Sequence, residues 1–281
     1  MREGEAEFVV RRILVALDAS TQSLAALAAA VELAAAMEAE LEGLFVEDVN
    51  LLRLAGLPFA REVRHTASLE ALDSPRMERA LKAQATQARE ALAAAATRAQ
   101  VHWSFRVVRG EVAREVLQAA SEADLLTLGK QGRSRCPGAR LGSTALRAAL
   151  QAPGALLLVE HGVPAGRPVF VLYDGSESAE RALDAAARLA RMSGTYLIVL
   201  LLAGAPDAAK QLEQQAGLRI ELQRVRTRFH VLPEADAQSL LRVFQSEGGG
   251  LVVLGAGSNV LSEETLHKLL DRLRNPVLLV R

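Results

Sequence analysis

Short apolar runs alternate with longer stretches of helical periodicity along the first half of the chain. The first run ends in Asp18, and the alanine-rich stretch after it reaches Glu40 with its larger apolar residues at helical spacing. Because the runs are apolar on both faces, they are typical of buried parallel strands. Strands that alternate with helices predict a parallel α/β sheet with right-handed crossovers. We predict strands at 12–18, 41–46, 101–108, 124–128 and 155–159, and helices at 20–40, 76–98, 113–120 and 143–150.

The same pattern starts again in the second half of the chain. The run at 169–176 repeats the run at 14–20, and the run at 251–255 repeats 125–129 at a smaller separation, so a block is missing from the middle of the second copy. A segment rich in Gly and Pro, 161–168, joins the two copies. We therefore predict two tandem domains, a first at 1–162 and a shortened second at 163–281.

The block that the second copy lacks corresponds to residues 47–75 of the first copy. A loop of this length inside a compact domain either has a function or carries structure of its own. Its large apolar residues disfavour a segment that extends freely into water. We favour a short helix packed on its own domain, and a flap over a ligand site or a docking surface is the alternative. These apolar residues are Leu51, Leu52, Leu54, Leu57 and Phe59.

Composition and charge exclude several functional classes. The 281 residues include 33 Lys and Arg against 33 Asp and Glu, and the resulting net charge of +0 disfavours a nucleic-acid binder. One cysteine, Cys136, and five scattered histidines offer no metal-ligand spacing, so we expect no resident metal site. The first residues lack the apolar segment of a signal peptide, and no apolar run has the length of a membrane helix. We therefore expect a cytoplasmic protein that does not bind a membrane.

A glycine-rich segment follows the predicted strand at 124–128, and a Ser-Thr pair opens the next helix. Glycine lets the backbone turn sharply and approach a ligand, and Ser and Thr at a helix N-terminus offer hydroxyl and N–H groups to an anion. The five basic and no acidic side chains at 129–147 favour a phosphate group as that anion. The alternative is a tight turn with a serine N-cap and solvated arginines. The residues concerned are Gly129, Gly132, Gly142, Ser143, Thr144, Lys130, Arg133, Arg135, Arg140 and Arg147.

The spacing Gly129-x2-Gly132-x9-Gly142-Ser143 resembles the nucleotide-loop signature of the universal stress protein family. Asp18 at the end of the first strand and the run 108–111 after the third strand agree with this resemblance, which extends over residues about 10–160 and 167–281. The resemblance implies an α/β fold of two tandem Rossmann-like domains, each with an open parallel sheet.

ATP-binding members of that family hold adenine near the strand-one aspartate and the strand-two backbone, and hold ribose and phosphates on the glycine loop. The resemblance implies ATP, with or without Mg, as the ligand of this chain. For Asp18, the alternative role is capping of the first helix together with Ser20, and its recurrence as Asp174 favours a partly structural role. The nucleotide-binding residues implied by the resemblance are Asp18, Phe45, Val46, Gly129, Gly132, Gly142, Ser143 and Thr144.

The second half departs from this motif. Ser258 stands where the second glycine belongs, Lys268 stands where the counterpart of Gly142 is expected, and the charges at 255–274 balance. We therefore predict no phosphate site in the second half, which serves as a packing partner. The resemblance implies that domains of this kind pair through their last strands. The chain can satisfy this pairing internally, as a pseudo-dimer, and a homodimer is the alternative.

These observations favour an adenine-nucleotide-binding stress protein that senses its ligand without efficient turnover, because no catalytic base is evident near the glycine loop. One alternative is a partner-binding regulatory module with a vestigial nucleotide site. Another is a weak adenine-nucleotide hydrolase. Related hydrolases carry a Ser-Gly-Gly loop directly after the first strand, where this chain has Asp18-Ala-Ser-Thr, so that alternative is disfavoured.

Overall fold

A computed structural model describes residues 8–57, 61–63, 69–71, 73–133, 140–162, 166–221, 223–233, 236–256 and 262–281. In the first half, strands alternate with helices as the apolar runs predict. The elements of this half are β1 (Arg12–Ala16), α1 (Thr21–Met37), β2 (Glu40–Asp48), α2 (Val49–Ala55), β3 (Arg61–Val63), β4 (Leu69–Ala71), α3 (Ser74–Arg98), β5 (Trp103–Gly110), α4 (Val112–Ala120), β6 (Leu125–Gly129), α5 (Ser143–Gln151) and β7 (Ala155–Val159).

The second half repeats this order without a counterpart to the α2–β4 segment among its described residues. Its helix α7 begins soon after the second strand of the repeat, as expected from the shorter sequence. The elements of this half are β8 (Val169–Tyr173), α6 (Glu177–Met192), β9 (Leu197–Leu202), α7 (Pro206–Glu221), β10 (Thr227–Leu232), α8 (Ala237–Ser246), β11 (Leu251–Gly255), α9 (Glu263–Arg272) and β12 (Val277–Val280).

Ten strands form one sheet in the order β10-β9-β8-β11-β12-β7-β6-β1-β2-β5. Neighbouring strands are parallel except β12 and β7, which pair antiparallel through Val277 with Leu158, Leu278 with Leu157 and Leu279 with Leu156. Each half thus contributes five strands in the same spatial order, and the two last strands lie side by side. The α/β fold class is confirmed. The domain boundaries and the pseudo-dimer, which implies two halves that fold as units, stay predictions.

The core consists of two apolar layers, one on each face of the sheet. Helices α1, α3, α6 and α7 cover one face, and α4, α5, α8 and α9 cover the other. Alanines dominate the buried positions of α1 and α6, which lets these helices lie close to the strands below them. Both faces are therefore buried, which explains why the central strands are continuous apolar runs rather than alternating ones. No helix in the described ranges is long and apolar enough to cross a membrane.

The segment at 47–75 contains the helix that we favoured. Asp48 caps α2 by accepting a hydrogen bond from the backbone N–H of Asn50 at 2.9 Å, and α2 packs against α3. The short antiparallel pair β3–β4 follows α2, and Phe59 lies outside the described residues. The first turn of α2 also borders a cleft in the first half, so the segment both packs on its own domain and lines that cleft.

We predict that the two halves stay together when the chain is cut between them. Strands β7 and β12 share backbone hydrogen bonds and bury all of their side chains at the junction. Cleavage at a protease site inserted within 163–165 should therefore leave one species on size-exclusion chromatography. The first half produced alone exposes an apolar edge of β7 and should self-associate. Elution of the cut halves as separate monomers, or a soluble monomeric first half at high concentration, would contradict the prediction.

Candidate functional site

A cleft of about 350 Å³ lies at the carboxyl ends of β1, β2 and β6. The chain leaves β1 through α1 on one face of the sheet and leaves β6 towards α5 on the opposite face, so strand order reverses between these two neighbours. Ligands of open α/β sheets bind at such a switch point. The cleft is lined by all eight residues that the sequence analysis singled out: Asp18, Phe45, Val46, Gly129, Gly132, Gly142, Ser143 and Thr144. Their contact with a ligand stays a prediction.

Asp18 links the end of β1 to the glycine loop. Its Oδ1 accepts a hydrogen bond from the backbone N–H of Ser20, and its Oδ2 accepts one from the backbone N–H of Arg133, both at 2.9 Å. The cap of α1 is Ser20, whose hydroxyl accepts from the N–H of Ser23 at 3.1 Å. Asp174 makes the corresponding bond to Ser176 at 2.9 Å. The turn after the first strand is therefore common to both halves, and Asp18 also fixes the loop.

The first two glycines of the motif lie close to α1 and to Asp18. A Cβ added to Gly129 would lie 2.9 Å from the Cβ and carbonyl carbon of Gln22, which is too close for any side chain. A Cβ on Gly132 would lie 2.8 Å from Oδ2 of Asp18. Gln22 also accepts the backbone N–H of Gln131 at 2.6 Å. Gly129 therefore allows close approach of α1 to β6, and its close approach to a ligand stays a prediction.

The N-terminus of α5 borders the cleft without a side chain that caps it. Gly142 is the N-cap residue, and its own N–H donates to the carbonyl of Lys130 at 2.7 Å. Ser143, Thr144 and Ala145 follow along the wall of the cleft, and the first turn carries no acidic residue. The first N–H groups of a helix have no partner within the helix and carry partial positive charge. This end of α5 therefore offers donors to an anion in the cleft.

The basic residues of the loop do not act as one cluster, although Arg133 and Arg147 both line the cleft, and the phosphate site that their charge favours stays a prediction. Lys130 is 0% exposed and its Nζ donates to the carbonyl of Leu273 at 2.5 Å, away from the cleft. Arg147 Nη1 pairs with Glu111 Oε1 at 2.7 Å. Arg133 lines the cleft, and Arg135 lies outside the described residues. Sequence shows how many charges a segment carries but not where the side chains point.

Burial determines the titration of Lys130. Loss of hydration lowers the pKa of Lys130 from 10.5 to about 8, because the charged form is the one that water stabilises most. The carboxylates of Glu160 and Asp271 oppose this effect by favouring the charged ammonium. Its hydrogen bonds to the carbonyls of Leu273 and, at 3.5 Å, Leu270 cap the carboxyl end of α9.

The opposite wall of the cleft is the carboxyl end of β2. Pairing of β2 with β1 ends at Ala16 and Leu44, whereas its pairing with β5 continues to Asp48. The backbone edge at 45–48 on the β1 side therefore borders the cleft. Phe45 is 2% exposed and packs in the core, so it offers the cleft its backbone rather than its ring. Val46 points to the other face of the sheet and is half-buried.

The second half contributes a contact to this loop that is not evident from the sequence. Oδ1 of Asp271, in the last turn of α9, accepts hydrogen bonds from the backbone N–H groups of Arg140 at 2.8 Å and Leu141 at 3.2 Å. These two residues directly precede the N-cap Gly142. A count of charges near position 271 cannot reveal such a contact, because it joins residues 131 positions apart.

The N-terminus of α9, the corresponding helix of the second half, differs from that of α5. Helix α9 begins with Glu263 and Glu264, and Ser262 caps it by accepting the N–H of Thr265 at 3.2 Å. The counterpart of Gly142 is therefore Ser262 and not Lys268, because the segment before α9 is shorter than the segment before α5. Gly257 and Ser258 lie outside the described residues. No group of three or more His, Cys, Asp or Glu placed to hold a metal is found in the described ranges.

Comparison with known proteins identifies relatives of this fold. The family model described as "Universal stress protein family" matches residues 10–160. A universal stress protein from Archaeoglobus fulgidus DSM 4304 is 18% identical, with 99% of this chain and 98% of that chain covered and a TM-score of 0.77. A putative universal stress protein from Pseudomonas aeruginosa UCBPP-PA14 is 17% identical, with 98% and 95% covered and a TM-score of 0.59.

A third solved structure is the universal stress protein from Archaeoglobus fulgidus in complex with dAMP. It is 18% identical, with 42% of this chain and 100% of that chain covered and a TM-score of 0.36. No protein with a curated description matches the sequence significantly.

We predict that Lys130 makes the stability of the protein depend on pH. The folded protein releases the Lys130 proton near pH 8, whereas the unfolded chain holds it up to about pH 10.5. The unfolded state therefore binds more protons between these values, and the free energy of unfolding gains up to about 3 kcal/mol as pH rises through the window. Urea unfolding at pH values below, within and above the window should show this gain.

The variant Lys130→Met should lack the gain, because Met has no proton to release. Lys210→Met, which removes an exposed lysine on α7, is the matched control and should keep it. The same pH dependence in the protein and in Lys130→Met would contradict the prediction.

Proposed function

The chain belongs to the universal stress protein family, and on this premise we propose that the cleft of its first half binds one adenine nucleotide, ATP, per chain. In this proposal the protein acts in a stress response by sensing its ligand rather than by efficient turnover.

The observation that carries the proposal is the uncapped N-terminus of α5 in the wall of the cleft. Phosphate groups bind at helix N-termini because backbone N–H groups point at them and the helix dipole favours negative charge. Ser143 and Thr144 add hydroxyls there. Because this end of α5 lines the cleft, a nucleotide whose phosphate binds there can extend its ribose and adenine into the cleft.

The remaining walls suit an adenine ring. The backbone edge at 45–48 supplies N–H and carbonyl groups, which can pair with the amino group and ring nitrogens of adenine. Apolar side chains of Leu51, Val112 and Val116 line the same cleft and can cover the faces of the ring. Small-molecule sites combine mostly apolar walls with a few polar groups in this way. Asp18 lines the cleft, and we propose that it contacts the nucleotide.

The hydrogen bonds of the acidic side chains in the cleft favour sensing rather than turnover. Asp18 holds the N–H groups of Ser20 and Arg133, Asp48 caps α2, and Glu111 pairs with Arg147. A general base must reach the attacking water with a free acceptor of suitable pKa. Each of these carboxylates, which line the described part of the cleft, already accepts hydrogen bonds that stabilise the fold, and this disfavours its use as a general base.

We predict one nucleotide per chain, because α9 begins with two glutamates where α5 offers its N–H groups. Calorimetric titration with ATP should give a stoichiometry near one. ADP, AMP and dAMP are titrated in parallel, each with and without Mg²⁺, because Mg²⁺ binds mainly through phosphate oxygens and water. Two sites would contradict the asymmetry between the halves. Absence of binding would favour a regulatory module with a vestigial site, and steady release of ADP would favour a hydrolase.

We predict that Ser143→Glu weakens ATP binding without destabilising the fold. Ser143 is exposed in the first turn of α5, where a carboxylate interacts well with the helix dipole but repels a phosphate. The affinity should fall roughly tenfold or more. Ser143→Gln is the matched control, because it removes the same hydroxyl and adds the same volume without the charge, and it should bind ATP roughly tenfold more tightly than Ser143→Glu. Equal affinity of the Glu and Gln variants would exclude the α5 terminus as the phosphate site.

A further inference from the structure

We propose that the second half of the chain completes the nucleotide site of the first half, and that Asp271 on α9 is a positioning residue for it. The carboxylate of Asp271 fixes the backbone directly before α5, and thereby places the N–H groups that receive the phosphate. This inference rests on the proposed function and assigns the second half a role in the same site.

Two carboxylates, one from each half, hold the two described ends of the glycine loop. Asp18 of the first half accepts the N–H of Arg133 at 2.9 Å, before the gap in the described residues. Asp271 of the second half accepts the N–H groups of Arg140 and Leu141 at 2.8 and 3.2 Å, after it. Charge-assisted hydrogen bonds of this kind are stronger than neutral ones. The loop is therefore anchored at one end by its own domain and at the other end by the partner domain.

The loop in turn fixes the helix that carries Asp271. Lys130 extends from the loop to the carboxyl end of α9 and donates to the carbonyl of Leu273. Leu141 packs in the apolar layer that also contains Leu269 and Leu270 of α9. The loop and α9 thus contact each other through the Lys130 cap and through the Asp271 carboxylate, and both contribute side chains to one apolar layer. A shift of α9 would move both polar contacts together.

The two backbone N–H groups that Asp271 binds (hereafter the clamp) lie close in sequence to the proposed phosphate site. Arg140 and Leu141 precede the N-cap Gly142, whose N–H is bound to the carbonyl of Lys130 at 2.7 Å. This hydrogen bond holds the N-cap of α5 against the residue that follows β6. Release of the clamp would allow the chain before Gly142 to move away. The first N–H groups of α5 would then lose the fixed direction that anion binding requires.

The test compares three variants of the full chain with the original protein. Asp271→Ala removes both acceptor bonds, and we expect its ATP affinity to fall roughly tenfold or more. Asp271→Asn keeps one oxygen that can accept both N–H groups, and we expect it to recover most of the lost affinity. Arg272→Ala changes the exposed neighbour in the same helical turn and should bind ATP within about twofold of the original protein.

Affinity and hydrogen exchange together separate positioning from simple stabilisation of the junction. The titrations are made well below the unfolding temperature of each variant, so that every molecule is folded. Amide exchange at 140–145 should be faster in Asp271→Ala and restored in Asp271→Asn, with β7 and β12 unchanged. A folded Asp271→Ala protein with unchanged affinity and unchanged exchange at 140–145 would overturn the inference, and so would an affinity loss that Asp271→Asn fails to recover.

The same data distinguish failure of this inference from failure of the proposed function. If the original protein binds no adenine nucleotide, the proposed function is wrong. The exchange data still decide whether Asp271 holds the residues before α5. If the original protein binds ATP and Asp271→Ala binds it equally well, the function stands and the contribution of the second half is refuted.

Discussion

The antiparallel pair of β7 and β12 is the interaction on which the rest of this structure depends. Each half ends in an apolar strand whose outer edge would otherwise stay unpaired, and an edge of that kind invites aggregation. Pairing through Leu156–Leu279, Leu157–Leu278 and Leu158–Val277 joins two parallel sheets into one. It also fixes the carboxyl end of α9 beside the glycine loop of the first half, where Lys130 and Asp271 make their contacts.

Two demands act on the glycine loop at the same time. Packing requires Gly129, because an added Cβ would meet the backbone of Gln22, and Gly132 leaves room for the carboxylate of Asp18. Anion binding requires that the first turn of α5 stay open, and the α5 N-cap is a glycine without a capping side chain. In the second half, Gly255 meets the first demand in the same way, with its added Cβ too close to the carbonyl of Ser178. The second demand is not met there, because glutamates occupy the first turn of α9.

Much of the fold was predictable because buried parallel strands leave continuous apolar runs in the sequence. The repeat of Asp18 as Asp174 indicated a partly structural role, and each carboxylate does accept the N–H of the serine two positions later. The eight site residues lie around one cleft. The direction of Lys130 and the role of Gly129 were not predictable. A lysine or glycine after a strand is compatible with a ligand, a helix or another domain as its neighbour. The Asp271 contact depends on how the halves pair, which no local pattern records.

A crystal structure of the full chain with ATP tests the central claim most directly. The account predicts phosphate oxygens within hydrogen-bonding distance of the backbone N–H groups of Ser143 and Thr144, with Asp271 still bound to Arg140 and Leu141. It predicts adenine beside the backbone at 45–48, and one nucleotide per chain. Phosphates bound elsewhere on the protein, or a nucleotide in the second half, would contradict it.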